Sequence, residues 1–496
     1  MPEPVRLTAR VPRSAWVFST YFAEGLPYSL VRQVSTVFFR DAGTSLEGVG
    51  LTSLYSLPWV FKFLWAPLVD AFGTRRRWLL AAEGALAIGL VLLAGASALP
   101  GPILPVAIAF LVVAFLSATH DIAVDGFYLE AQDRTAQARN VGFQAMAYRF
   151  ALIAGGGGLV WLSARIGWPA AFGCAAIVCL ALLGFHARVL PDPSAARRPF
   201  ADLAKMAVRP RVVGVVGLVA AALLAGLYAL DWRVPERVAG LSIPAWSALF
   251  LLGAVLGLLG GLGALQRRLA RSSAPYARAF LDWLDQPRIG VILVFVVLYR
   301  LGESALLAMG YPALADCGLT RAQYGLTYGT CGVASGIAGG LVGGWLIGRY
   351  GLRRTIWPLV LSQNVPNLLY ALLTWRLAGA AGETGLEASM LAWVTGLVAV
   401  EAFGAGLGTA VFMVFVMRTT RPAYRSAHMA IATGVMNVAS ALAGVGSGFL
   451  AARIGFPAFF GCTFLAAVPG MVCIPFLPLL DDPPSPTSPP APPGRG

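Results

Sequence analysis

Apolar runs of close to twenty residues recur along almost the whole of this chain. Each is long enough to cross a bilayer as a helix, since about twenty residues rising ~1.5 Å apiece span its ~30 Å of hydrocarbon. Soluble cores cannot absorb so many, and with 58% of its 496 residues hydrophobic and 12% charged the chain carries about half the charge of a soluble protein. The expected fold class is therefore an all-α polytopic membrane protein. Helices are predicted at 14–40, 48–72, 78–97, 102–127, 138–163, 168–189, 210–230, 242–264, 288–312, 320–348, 354–376, 388–416, 425–451 and 456–480. Fourteen spans leave both termini on one side. Many of the 57 glycines lie inside these runs, where small residues let membrane helices approach closely.

Charge checks that topology independently. The net charge is +14, from 37 basic and 23 acidic residues. Nucleic-acid binding would place the basic residues along a soluble face, whereas here they punctuate apolar segments, as the positive-inside rule requires. Of the Lys and Arg, 26 fall in connections on the side of the termini, 7 in connections on the other side and four within spans. Both termini are therefore expected in the cytoplasm. Arg6, Arg10 and Arg13 precede the first run without a small-residue cleavage site ahead of Glu24 and Arg32, so that run reads as an uncleaved span. The six cysteines form no CxxC pair, and with three histidines they offer no zinc cluster, so neither metal nor cofactor is expected. No GxxxxGK[ST] sequence is present, which argues against an ATP-driven pump working alone. Residues 481–496, Asp481-Asp482 followed by PPSPTSPPAPPGRG, read as a disordered polyproline-like tail.

A repeat organises the chain. SARIGWPAAFGC at 163–174 matches AARIGFPAFFGC at 451–462, an offset of 288. Asp70-AFGTRRR-Arg77 is echoed by Gly348-RYGLRRT-Thr355. The expected domains are a six-helix bundle at 1–189, cytoplasmic loops with an inserted two-helix hairpin (about 210–264) at 190–287, and a second six-helix bundle in the same orientation at 288–480. Parallel six-helix halves resemble the arrangement of the major facilitator transporters.

VDAFGTRRR, with Asp70, Gly73, Arg75, Arg76 and Arg77, is similar to that superfamily's motif between its second and third helices, and the resemblance implies a gating latch there. Its echo keeps Gly351, Arg353 and Arg354 but has Gly348 at the Asp70 position, which implies an asymmetric latch. FAEGLPYSL at 22–30, SLEGVGLTSLYSLPWVFKFLWAPLVDAFG at 45–73 and ATHDIAVDGFYLE at 118–130 resemble the muropeptide permease (AmpG-type) branch and its acetyl-CoA-transporter relatives. His120 and Gly126 depart from that branch's pattern, which carries glutamine and alanine there. The resemblance implies a cytoplasmic-membrane importer of anhydro-muropeptides.

Read from the residues alone, the functional candidates are the ionisable groups inside spans, since each is costly there unless it faces a cavity or a partner. Asp121 and Asp125 are four apart and share a helix face, close enough for mutual repulsion to favour proton uptake. Glu24, Lys62, His120 and Arg149 are expected as their partners, and Arg300, Glu303 and Glu401 as their counterparts in the second half. Each has a plainer reading: Lys62 snorkelling to the surface, Glu83 and Glu401 tying helices together, His120 as a buried core histidine, and His186 and His428 at the interface. Tyr21, Tyr28, Tyr55, Trp59, Tyr148, Tyr299, Asn364, Asn367 and Asn437 are candidate lining for an amphiphilic cargo, with about half of them expected to be helix glue or belt residues. Pro27, Pro58, Pro67, Pro312, Pro358 and Pro366 mark expected bends.

These readings converge on a proton-coupled secondary transporter that acts as a monomer among membrane lipids, its partners protons and a small organic anion. Transport of another organic anion, peptide, siderophore or acyl-CoA stays open, as does a non-transporting membrane sensor. Labelling of single cysteines should find the loops at 73–77, 190–209 and 265–287 on the cytoplasmic side and the loop at 231–241 opposite; cytoplasmic labelling at 231–241 would break the helix count.

Overall fold

The computed structural model describes residues 13–62, 65–132, 134–192, 199–208, 210, 214, 237–238, 241–271, 275–377, 385–421 and 425–481. Arg6, Arg10, the predicted helix at 210–230 and the tail beyond Asp481 lie outside the described residues, as does the side chain of Asp70.

The first half forms α1 (13–41), α2 (46–61 with Ala66–Ala71), α3 (Arg75–Ser97), α4 (Ile103–Ala131), α5 (134–166) and α6 (Trp168–Val189). A short amphipathic helix α7 (Phe200–Ala207), a two-residue antiparallel bridge of β1 (Arg237–Val238) with β2 (Leu241–Ser242), α8 (Ile243–Ala270) and α9 (Pro275–Leu284) lead to the second half. That half forms α10 (Ile289–Asp316), α11 (Arg321–Tyr350), α12 (352–376), α13 (Ala388–Arg418), α14 (Arg425–Ile454) and α15 (Phe456–Phe476).

Eight of these helices are long and apolar enough to cross a membrane by length and composition: α3, α4, α6, α10, α11, α13, most of α14, and α15. Rods α1, α2, α5 and α12 are interrupted. A π turn at Leu30–Val34 follows Pro27, a 3-10 turn at Thr52–Ser56 precedes Pro58, a π turn occupies Ile153–Gly158, and α12 breaks before Pro366. Pro58 and Pro366 each open a new helical segment, where the missing N–H has no intrahelical partner to lose. At 28 residues α8 is ~42 Å long, and it runs six residues beyond the expected 264.

Helix α3 packs on α4 and α6, and α1 on α5 and α4; in the second half α13 packs on α11 and α12, α10 on α14 and α15, and α12 on α15. The repeat carries over into backbone geometry. Gly167 and Gly455 stand at φ 81° and 77° in front of the proline-opened helices α6 and α15, a conformation open to a residue without Cβ. Large apolar side chains such as Ile88 and Leu92 of α3, Ile177 and Leu180 of α6, Leu368 and Leu372 of α12, and Leu465 and Val472 of α15 are exposed, as a lipid-facing surface requires. Helix α8 packs on α14.

The two halves meet chiefly at one end, the end carrying the connections at 42–45 and 317–320. There Leu46–Leu51 lies against α14, and the π turn of α5 lies against Arg321–Leu326 and the π turn Thr327–Gly332 of α11. Backbones touch at this crossing: a Cβ on Gly157 would fall 2.6 Å from Gly329 Cα. Charges cross in both directions at the same end. Arg40 of the first half pairs with Asp316 of the second, while Asp41 pairs with Arg321 Nη1 at 3.2 Å. Trp168 Nε1 donates to Asp41 Oδ2 at 2.8 Å, and the Arg321 guanidinium stands 5.5 Å from the Trp168 ring centre. Among the described residues, α14 touches Leu46–Leu51 most, Thr52–Ser56 less and Leu57–Phe61 least, so contact between the halves thins toward the arginine-rich end.

Cysteines placed at 41 and 321 should therefore be joined in high yield by a bifunctional thiol reagent long enough to span the Asp41–Arg321 pair. Adding Gly157→Val should cut that yield several-fold by prising the α5–α11 crossing open; an unchanged yield would show that the glycine contact does not hold this end shut.

Candidate functional site

Helix α4 presents Asp121 and Asp125 one turn apart toward α1 and α2. Lys62, just past the short helix Leu57–Phe61, donates from Nζ to Asp121 Oδ2. Tyr21 of α1 donates to Asp125 Oδ1 at 3.1 Å. Glu24, one turn further along α1, is buried, faces Asp121, Asp125 and Lys62, and has a carboxylate oxygen without a hydrogen-bond partner. Three carboxylates thus share one ammonium. Asp125 is exposed while Asp121 is buried, so the cluster is open on the Asp125 side. Tyr28 packs beside it on Trp59 and Tyr148, with ring centres 5.1 and 5.7 Å apart. Lys62 does not snorkel; its Coulomb partner is within the protein.

Other expected members stand elsewhere. His120 follows α4 to its opposite face, is fully buried, and approaches Glu83 of α3 at 3.5 Å instead of joining Asp121 and Asp125. His186 is buried, with its Nδ1 2.6 Å from Glu83 Oε1. His428 is likewise buried, against the Ala279 carbonyl. Arg149 is exposed and makes no ion pair among the described residues. In the second half Arg300 donates to Glu303 Oε1 at 2.6 Å and to Thr409 at 3.2 Å, and Gln363 donates to Glu303 Oε2 at 2.8 Å. Glu303 is thereby satisfied on both oxygens. Glu401 is buried among Tyr328, Tyr370 and Glu303 with no basic partner among the described residues. Tyr55 and Tyr299 spend their hydroxyls on the carbonyls of Ala107 and Gly408, and Asn364 donates back to Val360, so these three act as helix fastenings.

The arginine-rich loop is tied down residue by residue. Gly73 turns the chain at φ 63°, and a Cβ there would meet the Phe200 ring of α7 at 2.7 Å. Arg75 donates to the Gly126 carbonyl at 2.8 Å and approaches Glu130 at 3.4 Å, joining α3 to the end of α4. A Cβ on Gly126 would come within 2.6 Å of Arg75 Nη1, so an alanine there would make the guanidinium shift. Arg76 bonds the carbonyls of Ala187 and Leu190 at the end of α6, while Arg77 is exposed. In the echo Gly351 adopts φ 79° and Arg353 pairs with Asp481 at 2.7 Å, both exposed, with Arg354 exposed beside it. The Asp481 carboxylate beside Arg353 raises the guanidinium pKa above its ordinary value.

Sequence reading missed the crossed pairs of Arg40, Asp41, Asp316 and Arg321, and the polar group of Gln363, Tyr328 and Tyr370. A signal for the first existed: Asp41-Ala-Gly-Thr-Ser45 and Asp316-Cys-Gly-Leu-Thr320 end corresponding helices at one offset.

The sequence model of the Major Facilitator Superfamily matches residues 17–284 and 289–495. This chain belongs to that superfamily. It is a multi-pass membrane transporter, not an enzyme. Similar proteins include an uncharacterised protein of Haemophilus influenzae, 26% identical over 470 residues and 92% of each chain. The anhydromuropeptide permease of Escherichia coli K12 is 24% identical over 93% of this chain and 79% of its own. Among solved structures, a POT family transporter in complex with 5-aminolevulinic acid superposes with a TM-score of 0.62 at 14% identity, covering 93% of this transporter and 95% of that chain.

Removing Lys62 should leave Asp121 among like charges. Breaking a fully buried pair costs about 3–5 kcal/mol, less where a member is partly open, and Lys62 is one-third exposed at 33%. Lys62→Met should lower the melting temperature in detergent, and adding Asp121→Asn should recover most of the loss; additive losses would show that the pair does not couple.

Proposed function

We propose that this transporter is a proton-driven importer of anhydro-muropeptides, working by alternating access in the cytoplasmic membrane with both termini inside. The observation that carries the coupling is the sharing of Lys62 by Glu24, Asp121 and Asp125. Three ionised carboxylates beside one ammonium leave two uncompensated negative charges at membrane depth, and taking up a proton relieves that repulsion. The second half offers Glu401 as a further proton site, while Arg300 and Gln363 hold Glu303 in place. The exposed Arg149 suits an anionic group on the cargo, its planar fork matching carboxylate or phosphate.

With the halves joined at the end opposite the arginine-rich loops, the positive-inside orientation makes this the conformation open to the cytoplasm, the state that releases cargo. The latch residues Asp70, Gly73, Arg75, Arg76 and Arg77, with Gly351, Arg353 and Arg354, would hold the cytoplasmic ends in the other state. Cargo choice rests on the resemblance to the permease branch and on the likeness to the Escherichia coli permease. The aromatic face of Tyr28, Trp59 and Tyr148 beside the carboxylates supplies what a sugar with a peptide stem needs: stacking surface and hydrogen bonds.

Proteoliposomes test this with labelled anhydro-muropeptide. Uphill uptake should require an inward proton gradient, and Asp121→Asn should abolish accumulation while sparing part of the counterflow, because exchange does not require net proton release. Asp125→Asn should slow both. Wild-type accumulation by Asp121→Asn would remove Asp121 from coupling, and gradient-independent accumulation would end the proton-driven reading.

A further inference from the structure

A second group of ionisable side chains lies inside the first half, turned away from the Lys62 cluster. Glu83 of α3, His120 of α4 and His186 of α6 are all buried, both histidines completely. His186 Nδ1 stands 2.6 Å from Glu83 Oε1, and its Nε2 stands 2.9 Å from the Ser19 hydroxyl of α1. Glu83 Oε2 has no hydrogen-bond partner, and neither has either nitrogen of His120, whose Nε2 is 3.5 Å from Glu83 Oε1. Cys179 of α6 lies close to Glu83, and Asp121 is the neighbour of His120 in sequence. Arg76, the nearby guanidinium at the end of α6, is engaged by the carbonyls of Ala187 and Leu190.

Hydrogen-bond arithmetic allows two states that differ by one proton. The Ser19 hydroxyl has a single hydrogen. Directed at the Trp16 carbonyl, 3.2 Å away, it leaves His186 Nε2 to donate to the Ser19 oxygen. Since Nδ1 already faces a carboxylate, the ring then carries both protons, and Glu83 with His186 is neutral as a pair. Turned instead to Nε2, the same hydrogen leaves a neutral ring, a buried carboxylate without a countercharge, and a Trp16 carbonyl without that bond. A low-dielectric interior favours the neutral, loaded state. The open Glu83 Oε2 and the unpartnered His120 ring give the loaded proton a second place, one residue from Asp121.

We propose that Glu83, His186 and His120 form a proton-binding site within the first bundle, with His120 as a positioning residue for Asp121. One carboxylate is contested by two imidazoles on different helices. When His120 gains Glu83, α4 is drawn toward α3, and the Asp121 carboxylate on its other face shifts against Lys62. The link to Asp121 rests on the proton-coupled reading above; the proton site itself does not.

The chain has three histidines, so its imidazole nitrogens are resolvable by 15N NMR in tag-free protein in lipid vesicles. His186 should show both nitrogens protonated at neutral pH, and Glu83→Gln should return it to a neutral ring. A neutral His186 in the wild type overturns the site, and that measurement needs no variant to fold. For the positioning role, His120→Gln should shift the pH profile of gradient-driven uptake while counterflow at saturating cargo is retained; an unshifted profile overturns the link to Asp121. Were the wild type to move no muropeptide at all, the functional reading would fail and the nitrogen spectrum would still decide the site.

Discussion

A charge held in hydrocarbon must find a countercharge within the protein, and the internal architecture of both bundles follows from that requirement. Lys62 with Asp121 ties α2 to α4, Tyr21 with Asp125 ties α1 to α4, and Glu83 with His186 and Ser19 ties α3, α6 and α1 together. In the second half Arg300, Glu303, Gln363 and Thr409 do the same for α10, α12 and α13. Lipid tails are as apolar as leucine, so apolar packing gives little preference for one helix neighbour over another. These polar ties supply the preference. They also concentrate ionisable groups on inner helices.

The contact between the halves is of a different kind. At the joined end it consists of backbone approaching backbone at Gly157 and Gly329, and of ion pairs near the membrane surface. Such contacts are short-range and rest on a few groups, so they form or part as a unit when the halves rock. The partly exposed pairs Arg40–Asp316 and Asp41–Arg321 each contribute little in water, on the order of 0–1 kcal/mol, which suits a closure that has to open in every cycle. The interior ties, by contrast, stay within one half and hold each bundle as one body.

Legibility differed sharply between fold and site. Apolar run length, the distribution of arginine and the repeated RIGxP turn are local or additive properties, and they carried the helical class and the parallel halves. Helix interruption was only partly readable. Pro58 and Pro366 announce their breaks, but the π turns at Ile153–Gly158 and Thr327–Gly332 lie in stretches whose hydropathy is unbroken. For the site, the sequence picked out the ionisable residues inside spans and could not say how they pair. His120 shows why: on α4 it is one residue from Asp121, yet the ~100° turn between neighbours on a helix aims one side chain at Glu83 of α3 and the other at Lys62.

From its sequence alone, this protein was committed to many membrane helices in two related halves, because hydrocarbon thickness and the cost of exposed backbone act on each segment separately. What waited for the tertiary structure was the partner of each charge: Lys62 on Asp121 and not at the membrane surface, His120 on Glu83 and not on Asp121, Glu303 satisfied and Glu401 left without a base. Which end is closed was equally invisible in the chain. Both depend on distances between side chains far apart in sequence, and Coulomb and hydrogen-bond energies are decided by those distances and by what surrounds them, not by composition.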